Sequence, residues 1–197
     1  MPILIIILFF IVTGCSITVP TIAEYRLTQK ISNTTYDAKE CKRKSLKVMQ
    51  SFSPNNLMSK EMAYVQKGYQ EFAFTESEWA QSPNRAINSK LVESLRASQV
   101  FANVSSYKSR SKNNLVLESN IEEFIQYFQK KNQKSFVRIV LYLSLIDSKS
   151  SEILSSTRIT KELDVKHMNA QSGVDSLNKA LNKALEDTNK WLNGVCK

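Results

Sequence analysis

At 197 residues, with 42% hydrophobic and 23% charged side chains, the chain has the size and balance of one globular domain; four glycines and four prolines exclude a linker-like or collagen-like stretch. The formal net charge is +9, which allows nucleic acid, an anionic membrane surface or an acidic partner. The basic residues come in scattered groups (Lys42, Arg43, Lys44 and Lys47; Lys108, Arg110 and Lys112; Lys130, Lys131 and Lys134) without interleaved aromatics for base stacking, so nucleic acid is not an expected partner. Their ordinary reading is solvated loops and strand ends; the sharper one is attraction to anionic lipid headgroups.

Residues 3–12 read ILIIILFFIV, an uninterrupted apolar run. A helix needs about 20 such residues to cross the hydrocarbon core, so this run instead suits the apolar centre of a secretory signal peptide. Val12-Thr13-Gly14-Cys15 follows and resembles the lipobox of bacterial lipoproteins, an aliphatic residue and two small ones before an obligatory cysteine. Small side chains let the backbone into the signal peptidase cleft, and the cysteine thiol takes up diacylglycerol. Cleavage before Cys15 would free an amine for another acyl chain, and burying several chains at roughly 0.8 kcal/mol per CH₂ makes anchoring effectively permanent. The resemblance implies a signal peptide at residues 1–14, a lipidated tether at 15–21 and lipid on Cys15. The plainer alternative is a buried first strand or helix with an incidental cysteine. No basic residue precedes the apolar run, a departure from the usual pattern. Ser16, rather than aspartate, follows Cys15, which by the same resemblance favours the outer membrane over the inner.

Cys41 and Cys196 are the remaining cysteines. An oxidising periplasm permits a disulfide that would tie the start of the domain to its last helix, and two unrelated thiols are the other reading.

The mature chain reads as one domain over residues 22–197. Residues 22–28 alternate as a half-buried strand with Tyr25 and Leu27 inward. Residues 33–40 are polar and read as a loop. Residues 45–52 form a second strand with Leu46, Val48 and Phe52 inward, ended by Ser53-Pro54-Asn55-Asn56. Residues 62–65 and 69–74 flank Gly68, which can supply the positive φ of a tight hairpin. Ser82 and Pro83 are the N-cap and first residue of a helix with Ile87, Leu91, Val92 and Leu95 on one stripe, ending near Ser98. Residues 100–104 read as a short strand.

Residues 115–127 alternate as a strand whose register shifts near Glu122-Glu123. Residues 135–146 are apolar on both faces after Arg138, as in a central strand covered on two sides, and residues 153–160 form another strand. A last helix runs from about Gly173 to Val195, with Val174, Leu177, Leu181, Ala184, Thr188, Trp191 and Val195 on one stripe. Packing on the domain's own sheet explains that stripe more simply than a partner helix or a membrane surface. This order predicts an α/β or α+β layered fold, a mixed β-sheet with two long helices packed on it.

No catalytic constellation emerges. The single histidine, His167, sits in a polar stretch without ligands at metal spacing, and no G-x-S-x-G, P-loop or G-x-G-x-x-G occurs. Glu76, Glu78 and the Glu122-Glu123 pair could in principle do acid–base work, but the adjacent Glu122 and Glu123 should point to opposite faces of a strand rather than form a dyad. Neither an enzyme nor a cofactor or metal is expected.

Residues 72–104, FAFTESEWAQSPNRAINSKLVESLRASQVFANV, resemble the ABC-type transport auxiliary lipoprotein family. The resemblance rests on the aromatic strand with Phe72 and Phe74, Trp79, the helix-opening Pro83, Leu91 and Leu95, and the strand with Phe101 and Val104. Residues 115–128, 137–145 and 153–160 and the closing helix with Trp191 look like the family's later elements; the polar stretch 33–43 departs from it. The resemblance implies a lipid-anchored, non-catalytic accessory subunit of an Mce-type (Mla- or Pqi-like) system that moves phospholipid or another hydrophobic compound. Its partners would be an ABC transporter and Mce-type substrate-binding subunits, with a homo-oligomer as one arrangement. Trp79 would be a core anchor or, alternatively, a ligand or partner contact. The competing functional reading is an outer-membrane lipoprotein that activates an envelope enzyme or assembles a secretion complex.

Overall fold

The computed structural model describes residues 21–30, 34, 36, 38–129 and 134–197. The elements in chain order are β1 (Ala23–Tyr25), β2 (Ser45–Val48), a 3₁₀ turn (Asn55–Leu57), β3 (Glu61–Gln66), β4 (Gln70–Trp79), α1 (Pro83–Ser98), β5 (Asn103–Ser106), β6 (Leu115–Gln129), β7 (Lys134–Asp147), β8 (Ile153–Val165) and α2 (Ala170–Val195). All eight strands join one mixed sheet with both helices on one face, an α+β fold.

The alternation of residues 115–121 and 135–145 produces two long strands, and they organise the sheet. β7 runs antiparallel to β6 from Leu115↔Asp147 to Gln129↔Lys134, and β8 lies antiparallel outside β7. The other edge of β6 is shared. β2 pairs parallel with its beginning, Leu46↔Leu115, and β3 pairs parallel with its end, Tyr64↔Gln126. The sheet therefore forks, with β5 beyond β2 on one arm, and β4 and then β1 beyond β3 on the other. At the β3–β4 turn Lys67 and Gly68 both have positive φ, 54° and 80°, the backbone a tight hairpin demands.

The inner face is the core. Leu115, Leu117, Ile121 and Phe124 of β6 and Val137, Ile139, Leu141, Leu143 and Leu145 of β7 are buried there with Ile87, Leu91 and Leu95 of α1. On α2 the stripe Val174, Leu177, Leu181, Ala184 and Thr188 is buried. Farther along, Trp191 is half-buried, its Nε1 donating to Ser155 Oγ at 3.2 Å near the start of β8. Val195, one turn later, is exposed. Asn189 Nδ2 joins the two helices by donating to Ser94 Oγ at 2.9 Å.

Ser82 and Pro83 open α1, but the Ser82 hydroxyl makes no cap bond; its carbonyl accepts the Arg85 and Ala86 N–H groups instead. α2 starts at Ala170, three residues before Gly173, because Asn169 Oδ1 accepts the Ser172 N–H at 2.9 Å. Gly173 lies where a Cβ would overlap the Gln126 carboxamide, whose Nε2 is held by Ser135 Oγ at 2.9 Å.

Several sequence readings change. The first strand shrinks to Ala23–Tyr25, since residues 26–30 leave the sheet and cross toward α2. There Asn178 Oδ1 accepts the Thr28 N–H at 2.7 Å and Asn182 Oδ1 accepts the Lys30 N–H at 2.9 Å, so two asparagines replace a neighbouring strand. Phe52 is 67% exposed rather than inward. Val48 and Ser51 both face inward, three positions apart, so an extra residue between them turns Phe52 out to bridge Asn120. Val100 and Phe101 are buried under the end of α1, and β5 begins only at Asn103. The register shift in β6 falls at the expected place, but it is a bulge that brings Glu122 and Glu123 to the same outer face. Neither helix covers that face: Val140 is buried, yet Tyr142 is 41% exposed.

Cys41 and Cys196 are joined by a disulfide with Cα atoms 5.3 Å apart, and the Glu40 N–H donates to the Cys196 carbonyl beside it. The bridge spans 155 residues of sequence, so the double variant Cys41→Ala/Cys196→Ala is expected to lose about 3–5 kcal/mol, read as a lower urea midpoint that reductant no longer changes. Gly173→Ala is expected to cost about 1–3 kcal/mol by overpacking, against the ~1 kcal/mol that alanine gives an ordinary helix. Adding Gln126→Ala should recover part of that loss, and strictly additive costs in the double-mutant cycle would refute the clash.

Candidate functional site

The residues singled out by sequence lie in different places. Cys15 is outside the described residues. Trp79 is 4% exposed, its ring 5.7 Å from that of Phe124, and its backbone N–H donates to the Lys60 carbonyl at 2.7 Å. The indole thus fills the core where α1 begins. Cys41 and Cys196 are buried at the opposite end of α2 from its N-cap.

The chain joins the sheet at an exposed edge. Thr21 and Ile22 are exposed, and β1 pairs parallel with Ser77 to Trp79 of β4. Lys60 reaches Glu24 at 3.5 Å and Glu78 at 3.7 Å across this edge, a surface network of small energetic weight.

Two concave regions stand out. One, of about 640 Å³, runs beside α1 and is lined by Arg85, Asn88, Arg96, Tyr107 and Lys108 among others. One of its cations is committed to the backbone: Arg96 Nε donates to the Val104 carbonyl at 2.9 Å. The sequence reading noted Lys108 but not the arginines, because only the packing of α1 on β5 brings them together.

The second, of about 510 Å³, lies on the outer face at the end of β6 and includes Lys67, Tyr127, Phe128, Phe136 and Arg138. Here Tyr127 and Phe136 stack with centroids 4.8 Å apart and planes within 7°, and the Arg138 guanidinium sits 5.0 Å from the Tyr127 ring. Arg138 is bound by Glu162 at 3.0 Å and Glu123 at 3.6 Å, while Arg158 holds Glu122 at 2.8 Å. Each glutamate of the bulge thus serves an arginine rather than the other glutamate. Tyr127 Oη donates to Glu123 Oε2 at 2.8 Å, and burial followed by this bond pushes the phenol up to about 12.

Among the described residues no group of three or more His, Cys, Asp or Glu could hold a metal ion, and His167 is exposed. No helix among them is long and apolar enough to cross a membrane.

A forked mixed sheet with two helices on one face, joined at its edge by an N-terminal segment, defines a two-layer α+β domain. The chain belongs to the family of ABC-type transport auxiliary lipoprotein components, which it matches over residues 25–190. No curated protein matches the sequence. A crystal structure of a Xanthomonas campestris protein from the DUF330 family is similar at a TM-score of 0.77 and 14% identity, covering 88% of this chain and 95% of its own. An uncharacterised protein gives 0.67 and 16% identity, covering 87% and 98%. A minor lipoprotein from Acinetobacter baumannii, at 0.45 and 12% identity with 77% and 93% covered, is too distant to argue from. The first two likenesses establish the fold.

The raised phenol has a testable consequence. Because the folded state favours neutral Tyr127, its contribution to stability is whole below pH 10 and is lost as pH rises through about 12. Glu123→Gln should return the titration toward 10, measured by phenolate absorbance with Tyr127→Phe identifying the step; an unmoved titration would show that burial alone raises it.

Proposed function

We propose that this domain is a lipid-anchored, non-catalytic accessory subunit of an ABC transporter of the Mce type, moving phospholipid or another hydrophobic compound through the cell envelope. The observation that carries this reading is membership of the auxiliary lipoprotein family across residues 25–190. The lipobox-like Val12-Thr13-Gly14-Cys15 supports a signal peptide at residues 1–14, acylation of Cys15 and a periplasm-facing domain over residues 22–197. Ser16 after that cysteine supports the outer membrane. The chain's own side chains would act by contact: the inner face of the sheet is occupied by the core, leaving the outer face of β6–β8 and the cleft beside α1 for other subunits.

Crosslinking in intact cells followed by mass spectrometry tests the reading. Transporter and Mce-type subunits are expected among the partners, with crosslinks from lysines beside the α1 cleft or on the outer face. Recovery of a peptidoglycan synthase or a secretion channel in their place would overturn it.

A further inference from the structure

One end of the sheet carries exposed apolar and cationic side chains that neither the core nor any ion pair described above uses. The ends of β3, β6 and β8 and the starts of β4 and β7 meet there, because β3 runs parallel to β6 while β7 runs back from it. Tyr69 at the β3–β4 turn is 79% exposed, Phe72 44% and Met168, just past β8, 37%. Lys67, Lys134 and Lys166 are exposed among them. Two acidic residues, Glu71 and Asp164, lie one or two rungs back from this end, opposite Val65 and Phe136, and Glu71 accepts a bond from Asn56 at 2.9 Å. The outermost charges are therefore positive, beside aromatic and thioether groups. That mixture suits the boundary between headgroups and acyl chains.

The direction of the N-terminal segment says which surface lies opposite. β1 runs parallel to β4, and β4 starts at this end with Gln70, so the start of β1 is directed toward the same end. β1 pairs beside Trp79, which abuts Phe124. Phe124 to Gln129 amounts to about 17 Å of strand. The eight positions from Cys15 to Ile22 reach at most about 27 Å when extended. An acylated Cys15 can therefore lie level with this end or beyond it.

We infer that this end of the sheet, through Lys67, Tyr69, Phe72, Lys134, Lys166 and Met168, rests on the anionic headgroup layer of the bilayer that holds the tether. The contact fixes the domain's orientation, with the β2–β5 arm and the disulfide pointing away from the membrane. It rests on the acylation of Cys15 proposed above.

The test uses the lipidated full-length protein in vesicles of phosphatidylcholine alone and of phosphatidylcholine mixed with phosphatidylglycerol, followed by amide hydrogen exchange. In the anionic vesicles, exchange at residues 67–70 and 166–168 is expected to slow about fivefold or more, with the slowing lost at high salt. It should also vanish in Lys67→Glu/Lys134→Glu/Lys166→Glu, while peptides around Cys41 and Cys196 keep their exchange and so report an intact fold. Unchanged exchange, or slowing of equal size in both vesicles as a second copy of the chain would give, overturns the proposal. The mass of the N-terminal peptide separates the two levels: an acylated protein with an unaltered tip refutes the tip contact alone, and an unacylated one refutes the tether and this inference with it.

Discussion

Fifteen residues of β6, bordered along one edge by β7 and divided along the other between β2 and β3, make the position of every other element conditional on one register. A one-residue slip in β6 would move Leu115, Leu117 and Ile121 from the core to the open side and detach both arms of the fork at once. The strand accommodates this with one irregularity. The bulge at Glu122 lets Ile121 and Phe124 both face inward although they are three positions apart, and sends two adjacent glutamates outward to arginines on β7 and β8. The outer ion pairs thus mark the position of the bulge on the surface. Their exposure limits each to a small net energy, so the register is held by the apolar inner face.

α2 closes the core and is fastened at both ends by different chemistry. At its start Asn169 caps it, and Gly173 permits close approach to Gln126; at its end Cys196 is linked to Cys41. Between them, Asn178 and Asn182 bind the backbone of residues 26–30. Residues 26–30 thus lie along the helix, and Cys41 meets its far end at the disulfide. A buried backbone would need partners from its own sheet; this one takes them from asparagine side chains on a helix.

These features divide by how local they are. The opening of α1 at Ser82 and Pro83, the turn at Gly68 and the shift near Glu122 were all legible, because each depends on residues within a few positions. The family was legible too, since the order and spacing of the strands and the helix around Trp79 carry it. What escaped the sequence were pairings between distant segments. Nothing in residues 45–66 indicates that β2 and β3 share one edge of β6, and the outward turn of Phe52 depends on an extra residue that alternation cannot count. Runs of buried residues also misled: Val100 and Phe101 look like a strand but fill the core beneath a helix end. The apolar outer positions of β7 suggested a second covering layer, where Val140 is buried but Tyr142 stays in solvent.

The division between faces also bears on how such a domain can work with other subunits. The inner face of β6 and β7 is occupied by α1 and α2, and Trp79 is buried in that core, where the packing reading of its sequence puts it. Contacts must then come from the cleft beside α1, from the outer face of β6–β8, or from the sheet's free edges at β1, β5 and β8. The outer face is stiffened by the Tyr127–Phe136 stack under Arg138, and Arg138 and Arg158 on it are already paired with glutamates. A partner docking there would meet a preorganised surface with little side-chain freedom left to lose, which lowers the entropic cost of association. The cleft beside α1 differs: Lys108 lies in the turn after β5, outside the sheet's pairing, with its ammonium over the Tyr107 ring. Of the two surfaces, the sheet face is the one whose aromatic and arginine side chains are held in place by stacking and ion pairs.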